Sequence, residues 1–163
     1  MRKADIIEKK IFTLPELLRR IAQWRAIGKT VSFTNGVFDI MHRGHIASLS
    51  QAASEADYLI VGLNSDASTK RLKGDSRPVN DEQARSIVMA ALLMVDAVVL
   101  FEEDTPLELI KAILPDVLVK GGDYTEEQIV GAKEVKANGG KVVINAIVEG
   151  FSTTGLIGKI NKL

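Results

Sequence analysis

Five short apolar runs, separated by stretches of helical spacing, constrain this chain more than any other feature. They are Thr30–Thr34, Tyr58–Leu63, Ala97–Phe101, Val117–Lys120 and Lys141–Asn145. The spacing predicts helices over Gly44–Ala56, Asp81–Met94, Pro106–Leu114 (capped by Thr105) and Glu126–Asn138, with a last short one from about Thr153 to Ile160. An earlier helix is expected over Leu14–Ile27, where Leu14, Leu17, Leu18, Ile21 and Trp24 repeat at helical spacing. Thr13 and Glu16 form its capping box and Gly28 its stop. Alternation of this kind predicts a Rossmann-like α/β fold, a doubly wound parallel five-stranded sheet with helices on both faces. Ligands of such sheets bind beyond the carboxyl ends of the strands, where the strand order switches.

Composition excludes several classes. Lys+Arg and Asp+Glu balance at 21 each, so no global positive field favours nucleic acid, and no nucleic-acid partner is expected. The chain has no cysteine, which rules out disulfides and thiolate chemistry. Charged residues break up the first ten positions, unlike a signal peptide, and Ile87–Val95 is far too short to span a bilayer. A cytoplasmic protein without a membrane partner is the expectation. The 163 residues read as one domain, with 1–29 as an N-terminal helical brace of the body 30–163.

Candidate chemistry concentrates in Phe33–His45, F-T-N-G-V-F-D-I-M-H-R-G-H. A strand, a glycine turn and a helix N-terminus in that order aim backbone N–H groups and a positive dipole end at an anion. His42 and His45, the only two histidines, add side-chain donors that can follow charge developing on a phosphate. The plainer alternative is a pair of capping or surface histidines. No Cys or third His completes a metal site, so no protein-bound metal is expected. Gly44 lets backbone approach a ligand. Thr34, Asn35, Gly36 and Phe38 complete this segment as candidate ligand contacts, Asn35 and Phe38 with a structural reading open. Asp39 is read three ways: orienting a histidine, binding a sugar hydroxyl, or stabilising a turn.

Three further stretches fall at strand ends. Asn64–Asn80 has no apolar period and reads as a structureless connection, longer than the roughly 12–15 residues usual without a functional reason. It carries Lys70, Arg71, Lys73 and Arg77; Lys73, between Leu72 and Gly74, is the expected mobile phosphate contact, against the alternative of solvated loop charges. In Lys120-Gly121-Gly122-Asp123-Tyr124 the glycines allow close approach, Asp123 can hold a hydroxyl and Tyr124 can stack; a capped glycine turn is the alternative. Ser152, Thr153 and Thr154 would cap the last helix and can hold phosphates with the same groups.

These motifs resemble the nucleotidyltransferase superfamily that shares an H-x-G-H signature. Within it, T-N-G-V-F-D (34–39), the 64–80 stretch, F-E-E-D-T-P (101–106), P-D-V-L-V-K-G-G-D-Y (115–124) and E-G-F-S-T-T (149–154) are similar to the D-glycero-β-D-manno-heptose 1-phosphate adenylyltransferases, the ADP-heptose synthase type. The likeness covers nearly all of the chain after about Thr30. It implies transfer of AMP from ATP to heptose 1-phosphate by direct in-line attack, with pyrophosphate released and Mg²⁺ carried by ATP. It further implies that His42, His45 and Lys73 are catalytic. Thr34, Asn35, Gly36, Phe38, Gly44, Arg85, Gly121, Asp123 and Ser152–Thr154 would serve the nucleotide. Asp39, Asn64, Asp66, Arg71, Arg77, Lys120 and Tyr124 would serve the acceptor. Arg85, one turn into its helix, is expected to face the site as an arginine there does in related transferases. The chain departs from many relatives at Ile157, where they carry Arg or Lys; Lys159 is the candidate replacement. A separate sugar kinase would supply the acceptor, and a homodimer is in keeping with the superfamily. Two other readings stay open: a cytidylyltransferase acting on glycerol 3-phosphate or a similar small phosphate, and a non-catalytic nucleotide-binding module.

Overall fold

Along the strand Tyr58–Asn64 (β3), successive residues pack to opposite faces: Leu59, Val61 and Leu63 join one apolar cluster and Ile60 the other. This period of two, on a strand buried on both faces, is what a covered parallel sheet requires. The computed structural model describes residues 6–122, 124–146, 150–160 and 162. Its sheet also contains Ile11–Phe12 (β1), Val31–Gly36 (β2), Ala97–Phe101 (β4), Val117–Gly121 (β5) and Lys141–Asn145 (β6). All pairings are parallel and the order is β1-β4-β3-β2-β5-β6.

The helices are Leu14–Ala26 (α1), Arg43–Ala53 (α2), Asp66–Lys73 (α3), Glu82–Ala90 (α4), Leu107–Ile113 (α5), Ala132–Ala137 (α6) and Thr153–Ile160 (α7). One apolar cluster holds Leu17, Ile21 and Trp24 of α1, Ile110 of α5 and Val135 of α6 against Phe33, Ile60 and Val99. The other holds Leu49 of α2 and Met89 of α4 against Leu59, Val61, Val98 and Val119. The doubly wound α/β architecture is therefore present, with helices on both faces. After β2 the chain winds outward through β3 to β4, then returns to lay β5 on the other side of β2. The switch in strand order lies between β2 and β5, and their carboxyl ends, Gly36 and Gly121, open the crevice where ligands of such sheets bind.

Four expectations need correction. The sheet has six strands, because the two residues Ile11–Phe12 pair with Val98 and Val99 at the edge; a run so short carries no periodic signal. The 64–80 connection contains α3, a polar helix capped by the Ser65 hydroxyl, which accepts from the Ser68 N–H. Only Ser68 and Thr69 are buried in it, so no apolar stripe announced it. The helix expected over 126–138 is broken: a 3₁₀ turn at Glu126–Gln128 is followed by α6, with Gly131 at φ +86° between them. The residue flanking α5 at its start is Pro106 rather than Thr105.

Leu17 is fully buried in the cluster that also holds β2 and β4 residues. Leu17→Ala is expected to lower stability by ~2–5 kcal/mol in urea unfolding followed by circular dichroism. A loss under about 1 kcal/mol would contradict packing of α1 into the common core.

Candidate active site

Two helix N-termini meet beyond the sheet's carboxyl edge. His42 precedes α2 in extended conformation without a side-chain cap, and the backbone N–H groups of His45 and Ile46 return to its carbonyl. At the start of α7, Ser152 Oγ accepts from the Gly155 N–H (3.0 Å), and Thr153 Oγ1 donates to Ile40 O (3.3 Å), tying α7 to the loop before α2. A cavity of about 400 Å³ opens between them, lined by Val37, Phe38, Asp39, His42, His45, Lys73, Arg77 and Phe151–Thr154. Both helix ends favour an anion there.

The His42 and His45 rings stack with centroids 3.8 Å apart. Both Nδ1 atoms are buried and find no hydrogen-bond partner among the described residues, which leaves Nε2 as the nitrogen of each ring that protein does not seal off. Burial lowers the His42 pKa; burial and the neighbouring His42 lower that of His45 to about 4. Both rings are therefore neutral near pH 7. Gly44 leaves room for this stack: a Cβ would lie 3.1 Å from the His42 ring and 3.3 Å from Phe151 Cβ, so those side chains would have to shift. Phe151 stacks beyond His42 (6.4 Å), and the Arg43 guanidinium lies over its ring (5.8 Å). Phe38, at φ +48°, meets the His45 ring edge-on.

A second cavity, about 440 Å³, adjoins the first and shares Val37 and Lys73 with it. Its polar lining includes Asn35, Asn64, Lys120, Tyr124, Thr105 and Gln128, and its apolar lining Leu118, Pro106 and Ile129. Lys120 is half-buried, which lowers its pKa. Its ammonium donates a long hydrogen bond to Asn35 Oδ1 (3.4 Å) and lies 6.0 Å from the Tyr124 ring centre. Gln128 Oε1 accepts from the Thr125 N–H (3.0 Å), which fixes the side-chain amide at the cavity wall.

Several expected site residues do other work. Arg85 does not face either cavity. Its side chain is fully buried, with Nε donating to Asn80 O (3.0 Å), Nη1 to Val37 O (2.7 Å) and Asn64 O (2.9 Å), and Nη2 to Asp66 Oδ1 (2.6 Å). Asp66 is thereby paired and lines neither cavity. Arg71 lines neither cavity; it pairs with Asp104 (2.7 Å), a residue of the second cavity's wall, and donates to the Glu102 carbonyl. Asp39 lines the histidine cavity but accepts from Arg77 Nε (2.7 Å) and from the Val79 and Asn80 N–H groups (2.9 Å each). Burial pushes its carboxyl up, but these N–H donors and the Arg77 charge outweigh that and hold it below its ordinary value. The loop-stabilising reading of Asp39 is the one its contacts match. Thr34 is buried within β2, and Gly121 sits where a Cβ would meet Ser48 Oγ at 3.2 Å. Lys159 lines neither cavity. Asp123 and Glu149 lie outside the described residues. Sequence reasoning passed over Val37, Thr105, Gln128 and Phe151; Val37, Thr105 and Phe151 stood within the quoted motifs, whereas Gln128 carried no signal.

Comparison with known proteins decides the family. Residues 33–157 match the cytidylyltransferase-like family, from within β2 to within α7. The chain belongs to the cytidylyltransferase-like family. It is a nucleotidyltransferase. This cytidylyltransferase-like chain is 58% identical to a bifunctional protein HldE from Rhodopseudomonas palustris (strain BisB5), over 95% of its own length and 32% of the relative's. It is 56% identical to a bifunctional protein HldE from Caulobacter vibrioides, over 95% and 32%. The chain thus spans about a third of the length of the curated relatives it matches. Among solved structures, the lipopolysaccharide core biosynthesis protein from Thermoplasma volcanium superposes with a TM-score of 0.60 at 29% identity, over 74% of this chain and 98% of that one. Pantothenate synthetase from Thermus thermophilus shares the fold (TM-score 0.54, 16% identity, 83% of this chain and 65% of that one).

The buried histidines make stability depend on pH. The unfolded chain takes up a proton at His45 near pH 6.5, whereas the folded chain resists it to about pH 4. Stability from this source is complete above pH 6.5 and falls as pH drops toward 4. In thermal melts of the free protein between pH 7.5 and 4.5, His45→Gln is expected to lose melting temperature less steeply than the wild type. Parallel slopes would contradict the neutral, buried ring.

Proposed function

We propose that this domain transfers AMP from ATP to D-glycero-β-D-manno-heptose 1-phosphate, giving ADP-heptose and pyrophosphate. The observation that carries the reading is the pair of cavities joined at Val37 and Lys73. One offers two helix N-termini and two histidines, suited to a polyphosphate. The other offers Lys120 and the shared Lys73 beside amides, hydroxyls and the Asp104 carboxylate, which is paired with Arg71, over an apolar floor, suited to a sugar bearing one phosphate. The HldE relatives and the lipopolysaccharide core biosynthesis neighbour support the same acceptor class. The relatives are named bifunctional and this chain matches about a third of their length, in keeping with a second activity elsewhere in them that could supply the sugar 1-phosphate.

In this reading an acceptor phosphate oxygen attacks the α-phosphorus of ATP in line. The bond from that phosphorus to the bridging oxygen breaks, and its electron pair leaves with pyrophosphate. The attacking phosphate is already ionised, so neither histidine acts as a base. His42 and His45, as neutral rings, donate hydrogen bonds to the α- and β-phosphate oxygens as charge spreads over them. Ser152–Thr154 and the start of α7 hold the outer phosphates. Lys73, shared by both cavities, draws the two anions together, and Lys120 anchors the acceptor. No group of three or more His, Asp or Glu among the described residues is arranged to hold a metal, and Asp39 is occupied by its loop contacts. Magnesium, which the resemblance implies, would come with the nucleotide and would supply charge neutralisation of the triphosphate.

Pyrophosphate release measured with ATP, Mg²⁺ and β-heptose 1-phosphate is expected to exceed that with CTP and glycerol 3-phosphate. His42→Ala or His45→Ala should lower kcat by ~10²–10³. Turnover only with CTP would move the assignment to a cytidylyltransferase. ATP binding without acceptor-dependent release would favour a nucleotide-binding module.

A further inference from the structure

Lys73 is the last residue of α3; Gly74 at φ +91° follows it, and four residues on Arg77 is held by Asp39. Lys73 is therefore placed from one side by that clamp and from the other by whatever holds α3. In the middle of α3 the buried Ser68 Oγ donates to Glu103 O (3.0 Å) and accepts from Asn64 Nδ2 (3.0 Å). At the C-terminal half Arg71 pairs with Asp104 and donates to the Glu102 carbonyl, both charged side chains about half exposed, and such pairs hold weakly. At the N-terminal end the tie is buried. Asp66, the first residue of α3, gives its carboxylate to the sealed Arg85 guanidinium, while its own N–H donates to Glu82 Oε2 (2.8 Å). Both anchors lie on α4, packed against the sheet. The same guanidinium grips Val37 O and Asn64 O, so one rigid fork joins the wall shared by the two cavities to the root of the lysine-bearing helix.

We propose that Arg85 and Asp66 are positioning residues that set the reach of Lys73 into the junction of the two cavities. The proposal rests on the reading of Lys73 as the cation that joins the two substrates. Eight residues of helix span about 12 Å. A tilt of about 5° at the root thus moves the far end by about 1 Å, and a misplacement of ~1 Å can lower a rate by ~10². Lysine in place of Arg85 would supply a point charge where four acceptors in different directions need a planar fork.

The test is a double-mutant cycle on kcat for pyrophosphate release with ATP, Mg²⁺ and β-heptose 1-phosphate, using Asp66→Ala and Lys73→Ala. Asp66→Ala is expected to lower kcat about tenfold with KM for ATP little changed, and to add nothing in the Lys73→Ala background. Arg85→Lys should couple to Lys73→Ala in the same way; if it does not fold, Asp66→Ala carries the test, with melting temperature confirming that each variant is folded. A role confined to stability would give the same fold-loss in both backgrounds, and that result, or an Asp66→Ala kcat equal to wild type, overturns the proposal. Lys73→Ala with wild-type kcat, or a wild type without release, overturns the functional reading itself.

Discussion

A single buried guanidinium organises the working edge of this domain. Arg85 has no exposed side-chain surface, and four of its five N–H groups reach partners on Val37, Asn64, Asp66 and Asn80. A buried charge is tolerated only where its donors are met, and removing a partner leaves it uncompensated. The ends of β2 and β3, the root of α3 and the 77–80 segment are therefore held in one arrangement. Asp39 repeats the device with the sign reversed, using a carboxylate to bind Arg77, Val79 and Asn80 to the loop that leads to His42. Between them these two charges hold the irregular backbone around the cavities, where no strand or long helix does so.

That scaffold permits a site that attracts anions without fixed charge on the histidines. The stacked rings are neutral because burial disfavours imidazolium and two cations 3.8 Å apart would repel. The positive potential comes instead from helix ends and from Lys73 and Lys120 at the walls, since the Arg77 charge is met by Asp39. Neutral donors hold a phosphate less tightly than charged ones do and gain strength as charge builds on its oxygens, which suits group transfer better than storage.

Much of the fold was legible because strands buried on both faces announce themselves as short apolar runs: β2 to β6 fall where the sequence puts them. The edge strand Ile11–Phe12 was too short to register, and α3 lacked the apolar stripe on which periodicity depends. Of the residues singled out by type and placement, His42, His45, Lys73 and Ser152–Thr154 do line one cavity. Arg85, Asp66 and Arg71 were misread because charge alone does not tell a ligand contact from a structural clamp. For Arg85 the decision was made by carbonyls of residues 37, 64 and 80, and backbone acceptors leave no trace in composition or spacing.

The most direct measurement is a crystal structure of the protein with Mg²⁺ and the α,β-methylene analogue of ATP, which cannot release pyrophosphate. An α-phosphate oxygen is expected about 3 Å from a ring nitrogen of His42 or His45. The outer phosphates should lie at Ser152–Thr154, with the Lys120 cavity left open for the acceptor. A triphosphate seated against Lys120 and Asn35, away from the histidines, would contradict this placement.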